Sequence, residues 1–150
     1  MDFTAVIVAA GSGSRAGPGA PKTWRALGAK PVVQWSLEAL AASGARQIAL
    51  VVAADRIDEA RALTRPFPAA VCVVGGATRV ASVRAGLEAL GDDLGDAVLI
   101  HDGARPLLTR DHVMGLLDAL GGCDGAIPAL PVADTLKRGD THIEETAPRA

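Results

Sequence analysis

The chain has no tyrosine and only two phenylalanines and two tryptophans in 150 residues. That leaves too few rings for the stacked-base platforms of single-strand nucleic-acid binders. Basic residues are not in excess: 15 lysines and arginines face 17 aspartates and glutamates, for a formal net charge of −2. No broad cationic surface therefore invites nucleic acid or an anionic membrane, and an anionic ligand must be held by a local cluster. Long apolar runs are missing as well. None approaches the ~20 residues of a membrane-spanning helix, and no charged-then-apolar leader opens the chain, so the expectation is a cytoplasmic protein. Two cysteines, Cys72 and Cys123, are too few for a disulfide framework and read as reduced core residues without a metal or redox role. What is present is 49% apolar content, enough for one domain with a real core.

Apolar runs of strand length alternate with segments of helical period. Residues 3–9, 47–53, 70–74, 97–100 and 126–132 read as strands, continuous in apolar character and therefore covered on both faces. Between them Val33, Leu37 and Leu40 form a helical stripe, with Pro31 at its first turn and Gly44 just past its end. Val80, Val83, Leu87 and Leu90 form a second stripe, stopped by Gly91. Val113, Leu116, Leu117 and Leu120 form a third, capped by Thr109 or Asp111 and stopped by Gly121. A weaker helix spans 55–63. This alternation predicts an α/β fold with a doubly wound, mostly parallel sheet. Beyond residue 132 the texture changes to a polar hairpin around Gly139-Asp140, marginal alone and expected to lean on another subunit.

The first strand runs into Ala9-Ala10-Gly11-Ser12-Gly13-Ser14-Arg15, with Lys22 seven residues further on. Glycines leaving a strand let backbone N–H groups approach an anion, and the arginine and lysine add two cations. The pattern suits a loop that holds a triphosphate. Its spelling also fits the dinucleotide fingerprint, but Gly17, Pro18, Gly19 and Pro21 forbid the helix that fingerprint needs. Nor is it a P-loop, because Lys22 follows proline where that motif requires glycine. The bland alternative is an ordinary surface loop.

A second cluster is His101-Asp102-Gly103-Ala104-Arg105-Pro106. A carboxylate at the carboxyl end of a buried strand stands where open α/β sheets bind ligands. Asp102 could hold Mg²⁺ together with substrate phosphates, and Arg105 could fork onto a second phosphate. Otherwise Asp102 simply caps the turn and pairs with Arg105. His101 points to the other side of its strand and reads as structural; His112 and His142 have no metal-like partners. Gly75-Gly76 followed by a helix start is a third candidate, with Gly76 admitting a planar ligand and Ser82 able to bond it, or else a plain strand-to-helix turn. Ser12, Ser14 and Ser36 lack the company of a catalytic triad.

In this order the stretches from Ala9 to Arg15 with Pro21-Lys22, Gly75-Gly76 with Arg79 and Ser82-Val83, 101–106, and Pro131-Val132-Ala133-Asp134-Thr135-Leu136-Lys137 resemble the 2-C-methyl-D-erythritol 4-phosphate cytidylyltransferases. The resemblance covers essentially the whole chain. It implies a Rossmann-like nucleotidyltransferase fold with a protruding β-arm at about 133–148 that reaches across a homodimer. It implies CTP and 2-C-methyl-D-erythritol 4-phosphate as substrates and Mg²⁺ on Asp102. It makes Arg15 and Lys22 transition-state stabilisers, and Ala9, Ala10, Gly11, Ser12, Gly13, Gly76 and Ser82 nucleotide contacts. Asp102, Gly103, Arg105, Thr135 and Arg149 become substrate contacts, with Thr135 touching the neighbouring subunit's substrate.

Gly103 stands where the family commonly has alanine, and Ala77 where a polar residue is often found. The family's domain continues well past Ala150, so the resemblance implies a partial domain, and the family also occurs fused to a cyclase. Two other functions stay open: a nucleotidyltransferase acting on a different sugar or alditol phosphate, and a non-catalytic nucleotide-binding protein.

Overall fold

The computed structural model describes residues 1–11, 19–131 and 133–147. Four parallel strands form the central sheet: β1 (Phe3–Ala9), β4 (Ile48–Val52), β5 (Ala70–Val74) and β6 (Ala97–Asp102), in the order β5-β4-β1-β6. Two short strands, β2 (Ala26–Leu27) and β3 (Lys30–Pro31), make an antiparallel hairpin that the sequence patterns do not announce. The helices are α1 (Val32–Ala42), α2 (Ile57–Thr64), α3 (Arg79–Leu90) and α4 (Arg110–Ala119). Register is set along β1, where Ala9 lies opposite Val52 of β4 and Val8 opposite Asp102 of β6.

Alternation along β1 divides the core. Phe3, Ala5, Ile7 and Ala9 face one layer with Val33, Leu37 and Leu40 of α1, and Val113 and Leu117 of α4. Val6 faces the other layer with Ala49, Val51 and Leu90 of α3. The doubly wound expectation is met: helices cover both faces, so strands such as β4, buried at all five positions, can be apolar throughout.

Local chemistry fixes the helix ends. Pro31 occupies the N-cap position of α1 at φ −65°, one residue ahead of the expected first turn, and Gly44 follows the helix at φ +93°. Thr109 is the cap of α4: its hydroxyl accepts the His112 N–H at 3.3 Å, and His112 Nδ1 accepts the Thr109 N–H at 3.3 Å. Asp111 is not needed for that role.

Three expectations need correction. Residues 126–131 form no strand, and Val132 lies outside the described residues. Pro128 and Pro131 cannot donate to a ladder, while Ile127 and Leu130 stay 84% and 89% exposed, so neither hydrogen bonding nor burial favours pairing. Val80 is not on the buried stripe of α3 but 79% exposed; the face against the sheet is Ser82, Gly86 and Leu90. Cys123 is exposed rather than in the core, whereas Cys72 is half-buried beside Thr64, and burial raises its thiol pKa.

Gly86 explains the rotated stripe. A Cβ there would sit 2.6 Å from Val6 Cγ1 and 2.9 Å from Val51 Cγ2, so glycine lets α3 settle onto the sheet. We expect Gly86→Ala to lower stability despite the roughly 1 kcal/mol alanine gains in helix propensity, because overpacking of fully buried valines costs about 1–3 kcal/mol. A thermal melt that stayed level or rose would contradict this packing account.

The last described segment is a hairpin of β7 (Lys137–Arg138) and β8 (Glu145–Thr146), exposed throughout as anticipated. An ion pair between Arg138 and Glu145 at 3.0 Å and a bond from Lys137 Nζ to Thr146 Oγ1 at 2.6 Å hold it together.

Candidate active site

Strand order reverses beside β1: the chain steps outward through β4 and β5, then crosses back to place β6 on the other flank. The crevice at the carboxyl ends of β1 and β6 is therefore a topological switch point, where open α/β sheets bind ligands. A cleft of about 990 Å³ lies there, lined by Ala9, Ala10 and Gly11 after β1 and by Lys22 and Thr23. Gly76 to Arg79 with Ser82 form the α3 side, and Asp102, Ala104 and Arg105 the β6 side. The structure thus brings Ala9, Ala10, Gly11, Lys22, Gly76, Ser82, Asp102 and Arg105 to one cavity. Ser12, Gly13, Arg15 and Arg149 lie outside the described residues. Thr135 is exposed on the approach to the hairpin and does not line the cleft.

Lys22 is exposed at the start of a single 3₁₀ turn, Lys22–Trp24. The turn is anchored: Trp24 N–H bonds the Pro21 carbonyl at 2.9 Å, Thr23 is buried, and Trp24 packs on the core beside α1. Beyond it, Val32 N–H reaches back to the Arg25 carbonyl at 3.0 Å. Among the described residues the lysine has no ion-pair partner, and it stands on a fixed base.

Asp102 ends β6 on the α3 side. Arg79 Nη2 donates to its Oδ1 at 2.9 Å and Arg105 Nε to its Oδ2 at 3.1 Å, so each oxygen has its own guanidinium. Burial pushes the carboxyl pKa up, but the two arginines outweigh it and hold the group below its ordinary range, ionised at neutral pH. Arg79, which the motif reading includes without giving it a role, is a further functional candidate. Its signal is a cation in the first turn of α3, where the helix dipole disfavours positive charge and no acidic residue compensates. Asp102 supplies the compensation from another strand.

Among the described residues no three His, Cys, Asp or Glu side chains gather as a metal cage. Mg²⁺ does not require one, since it binds through one or two carboxylates plus substrate phosphates. The ionised Asp102 carboxylate has the chemistry of that shared mode, and in this structure each of its oxygens faces a guanidinium.

The α3 side of the cleft is built closely. A Cβ on Gly75 would fall 2.6 Å from Ala10 Cβ and 2.8 Å from Ser82 Oγ, and one on Gly76 would fall 2.5 Å from Ala81 Cβ. Glycine here serves the contact of turn with helix. Ser82 is buried and its hydroxyl donates to the Gly76 carbonyl at 3.3 Å, holding the turn that forms the wall. Gly103 is buried beneath the floor, where a Cβ would meet Ala9, Ile7 and Val33 at 3.2–3.3 Å; its neighbour Ala104 faces the cleft.

His101 points away from the cleft, as its place next to Asp102 on the strand requires, and bonds Ser36 of α1 and the Arg105 carbonyl. Burial, ahead of the opposing pulls of that carbonyl and Asp102, lowers its pKa and keeps the ring neutral. The depressed His101 and Asp102 pKa values have the same sign in linkage. Each contributes stability that is complete above its unfolded-state value and lost as pH falls through the folded one. We expect the urea midpoint to begin falling as pH drops below about 6.5, from His101 first, and that early part to be missing in His101→Gln. An identical pH profile for the two proteins would refute the assignment.

A second hollow of about 570 Å³ lies among Trp24, Lys30, Gln34 and Glu59, away from these strand ends. Its lysine is already paired with Glu38 and stands 3.7 Å from the centroid of the Trp35 ring. Among the described residues that line it, it offers an anion no unpaired cation.

Comparison with known proteins gives a consistent picture. The family described as 2-C-methyl-D-erythritol 4-phosphate cytidylyltransferase matches residues 3–150. The bifunctional enzyme IspD/IspF of Caulobacter vibrioides is 49% identical over 142 residues, covering 94% of this chain and 37% of that protein. A 2-C-methyl-D-erythritol 4-phosphate cytidylyltransferase of Cereibacter sphaeroides is 46% identical over 144 residues, covering 93% of this chain and 63% of that protein. Among solved structures, 4-diphosphocytidyl-2C-methyl-D-erythritol synthase from Anaerococcus prevotii superposes with a TM-score of 0.83 at 28% identity, over 99% of this chain and 64% of that one. The Thermus thermophilus cytidylyltransferase superposes with a TM-score of 0.72 at 31% identity, again over 99% and 64%. The chain therefore spans between 37% and 64% of the length of these relatives.

Proposed function

Because this chain belongs to the 2-C-methyl-D-erythritol 4-phosphate cytidylyltransferase family, we propose that it transfers CMP from CTP to 2-C-methyl-D-erythritol 4-phosphate in cytoplasmic isoprenoid precursor synthesis. The observation that carries the reading is the cleft at the β1/β6 switch point, with Lys22 on an anchored turn and the Asp102–Arg79–Arg105 cluster in the same cavity.

In the proposed reaction a phosphate oxygen of the acceptor attacks the α-phosphorus of CTP in line. The bond from that phosphorus to the α–β bridging oxygen breaks, and its electrons leave with pyrophosphate. Such a step needs positioning and charge neutralisation more than covalent help. Lys22, and by family resemblance Arg15, neutralise charge growing on the five-coordinate phosphorus. The backbone of Ala9 to Gly13 and of Gly76 cradles the nucleotide, with Ser82 fixing the turn that presents Gly76. Arg105 meets the acceptor phosphate, and Gly103 keeps the floor beneath it low. Asp102 would hold Mg²⁺, which supplies charge neutralisation on the phosphates. The hairpin is the arm of a homodimer: Thr135 would reach the partner's acceptor, and Arg149 would orient the acceptor phosphate.

The test is pyrophosphate release with CTP, 2-C-methyl-D-erythritol 4-phosphate and Mg²⁺, against panels of other nucleoside triphosphates and polyol phosphates. The named pair should give the highest kcat/KM. A better pair would reassign the substrate, and CTP binding without turnover by any pair would favour a nucleotide-binding protein instead.

A further inference from the structure

The proposed reaction makes no use of Ser36, yet this polar residue is fully buried in the apolar face of α1 among Val33, Leu37 and Leu40. Its hydroxyl lies 3.3 Å from the Arg105 carbonyl oxygen and 3.1 Å from His101 Nε2. The same imidazole nitrogen lies 3.1 Å from that carbonyl. With the serine hydroxyl donating to that carbonyl, Nε2 carries a hydrogen that is shared between the carbonyl oxygen and Ser36 Oγ. Two side chains from different elements thus converge as donors on one backbone oxygen.

The segment they grip needs such help. After β6 the chain has few backbone bonds of its own: Gly103 N–H reaches the Val8 carbonyl at 3.0 Å, and Arg105 N–H closes a turn onto the Asp102 carbonyl at 3.0 Å. Pro106 then offers no N–H, and Leu107 is exposed. Residues 106–107 form a turn, and among the described residues the next backbone bond of this kind is that of Val113, whose N–H reaches the Thr109 carbonyl at 3.2 Å at the start of α4. The turn 102–105 carries both Asp102 and Arg105 into the cleft, and its far end is tied to α1 through the Arg105 carbonyl.

We infer that Ser36 and His101 are positioning residues: a two-donor clamp on the Arg105 carbonyl that sets where the Asp102 carboxylate and the Arg105 guanidinium stand. Both side chains lie on the α1 side of the sheet and outside the cleft lining; they act through the turn. Displacements of about 1 Å in a positioned group can cost up to about 10²-fold in rate, so a loosened turn has a kinetic signature. The consequence for acceptor use rests on the proposed cytidylyltransferase reading; the clamp itself does not.

Two measurements on the full chain separate the two. The first follows the Arg105 Nε–H signal by ¹⁵N NMR in wild type, Ser36→Ala, His101→Leu and His101→Gln, with no substrate present. Held against Asp102, that signal should be sharp and protected from solvent exchange in wild type. It should be lost in His101→Leu, weakened in Ser36→Ala, and regained in His101→Gln, whose amide offers an N–H at a similar reach. The second is steady-state kinetics: kcat/KM for the acceptor should fall about tenfold in His101→Leu, with His101→Gln substantially restored. If the variants melt earlier but keep the wild-type Arg105 signal, the clamp is only a stability contact and the inference fails. If wild type shows no turnover but the signal behaves as described, the clamp stands and the reaction assignment falls.

Discussion

Lys22→Ala should reduce turnover by about 10³-fold, some 4 kcal/mol of transition-state stabilisation, while leaving the thermal melt unchanged. The size follows from the role. A cation aimed at charge that grows during the reaction, in a cleft partly shielded from water, contributes more than it would on an open surface. The structural silence follows from the geometry. Lys22 is exposed, whereas the turn beneath it is fixed by the Trp24–Pro21 backbone bond, by buried Thr23 and by the packing of Trp24. Removing the side chain leaves all three in place. Lys22→Arg should recover only part of the rate, because a planar fork replaces a compact point charge. Pyrophosphate release near the wild-type rate from Lys22→Ala would remove the catalytic assignment, and a collapsed melt would show the lysine to be structural.

Asp102→Asn should separate binding from turnover. The carboxylate is the shared counter-ion of Arg79 and Arg105, at 2.9 and 3.1 Å, and its neutral isostere leaves both guanidiniums without one. The cleft gains one unit of positive charge at unchanged shape. Triphosphate binding in the absence of divalent cation should therefore tighten, by about three- to tenfold at low ionic strength, and the gain should fade as salt screens it. Turnover with Mg²⁺ should fall by about 10²-fold or more, since the protein's carboxylate share of the metal is gone. Calorimetry of CTP binding without metal, beside turnover with it, reads the two effects. Weaker metal-free binding would mean that the arginines do not act on the nucleotide.

Much of this was legible in the sequence because its causes are local or periodic. Continuous apolar runs announced four of the five proposed strands, since strands buried on both faces have no polar side to show. Helix ends were legible wherever one residue type dictates geometry, as with Pro31, Gly44, Gly91 and Thr109. The failure at 126–131 came from counting apolar residues without giving enough weight to Pro128 and Pro131. Val80 failed because a stripe read from side-chain polarity cannot register a glycine, and Gly86 turns the face that packs. In the candidate site, glycine turns and charged residues at strand ends stood out as motifs, so the residues around the cleft were found. The ion pair of Arg79 with Asp102 was not. It joins residues 23 apart, and only the crossover through α3 makes them neighbours. Ser36 is a similar case, a lone serine in an apolar stripe whose partners lie 65 and 69 residues away.

The close seating of α3 also bears on how this cavity can change over evolutionary time. Along its α3 side the boundary is formed by Gly75 and Gly76 against Ala10 and Ala81, where even one added carbon collides. The turn on that side therefore presents main-chain atoms, which a single codon change cannot replace, beside the Arg79 side chain. Ala77 and Arg79, exposed at the rim, can be exchanged there without moving the backbone, whereas Thr78 caps α3 by accepting the Ala81 N–H at 3.1 Å. The opposite side, with Lys22 and Arg105, is made of long side chains on anchored turns. Variation in ligand preference should accordingly accumulate on that side and at the rim, while the α3 wall stays a fixed mould.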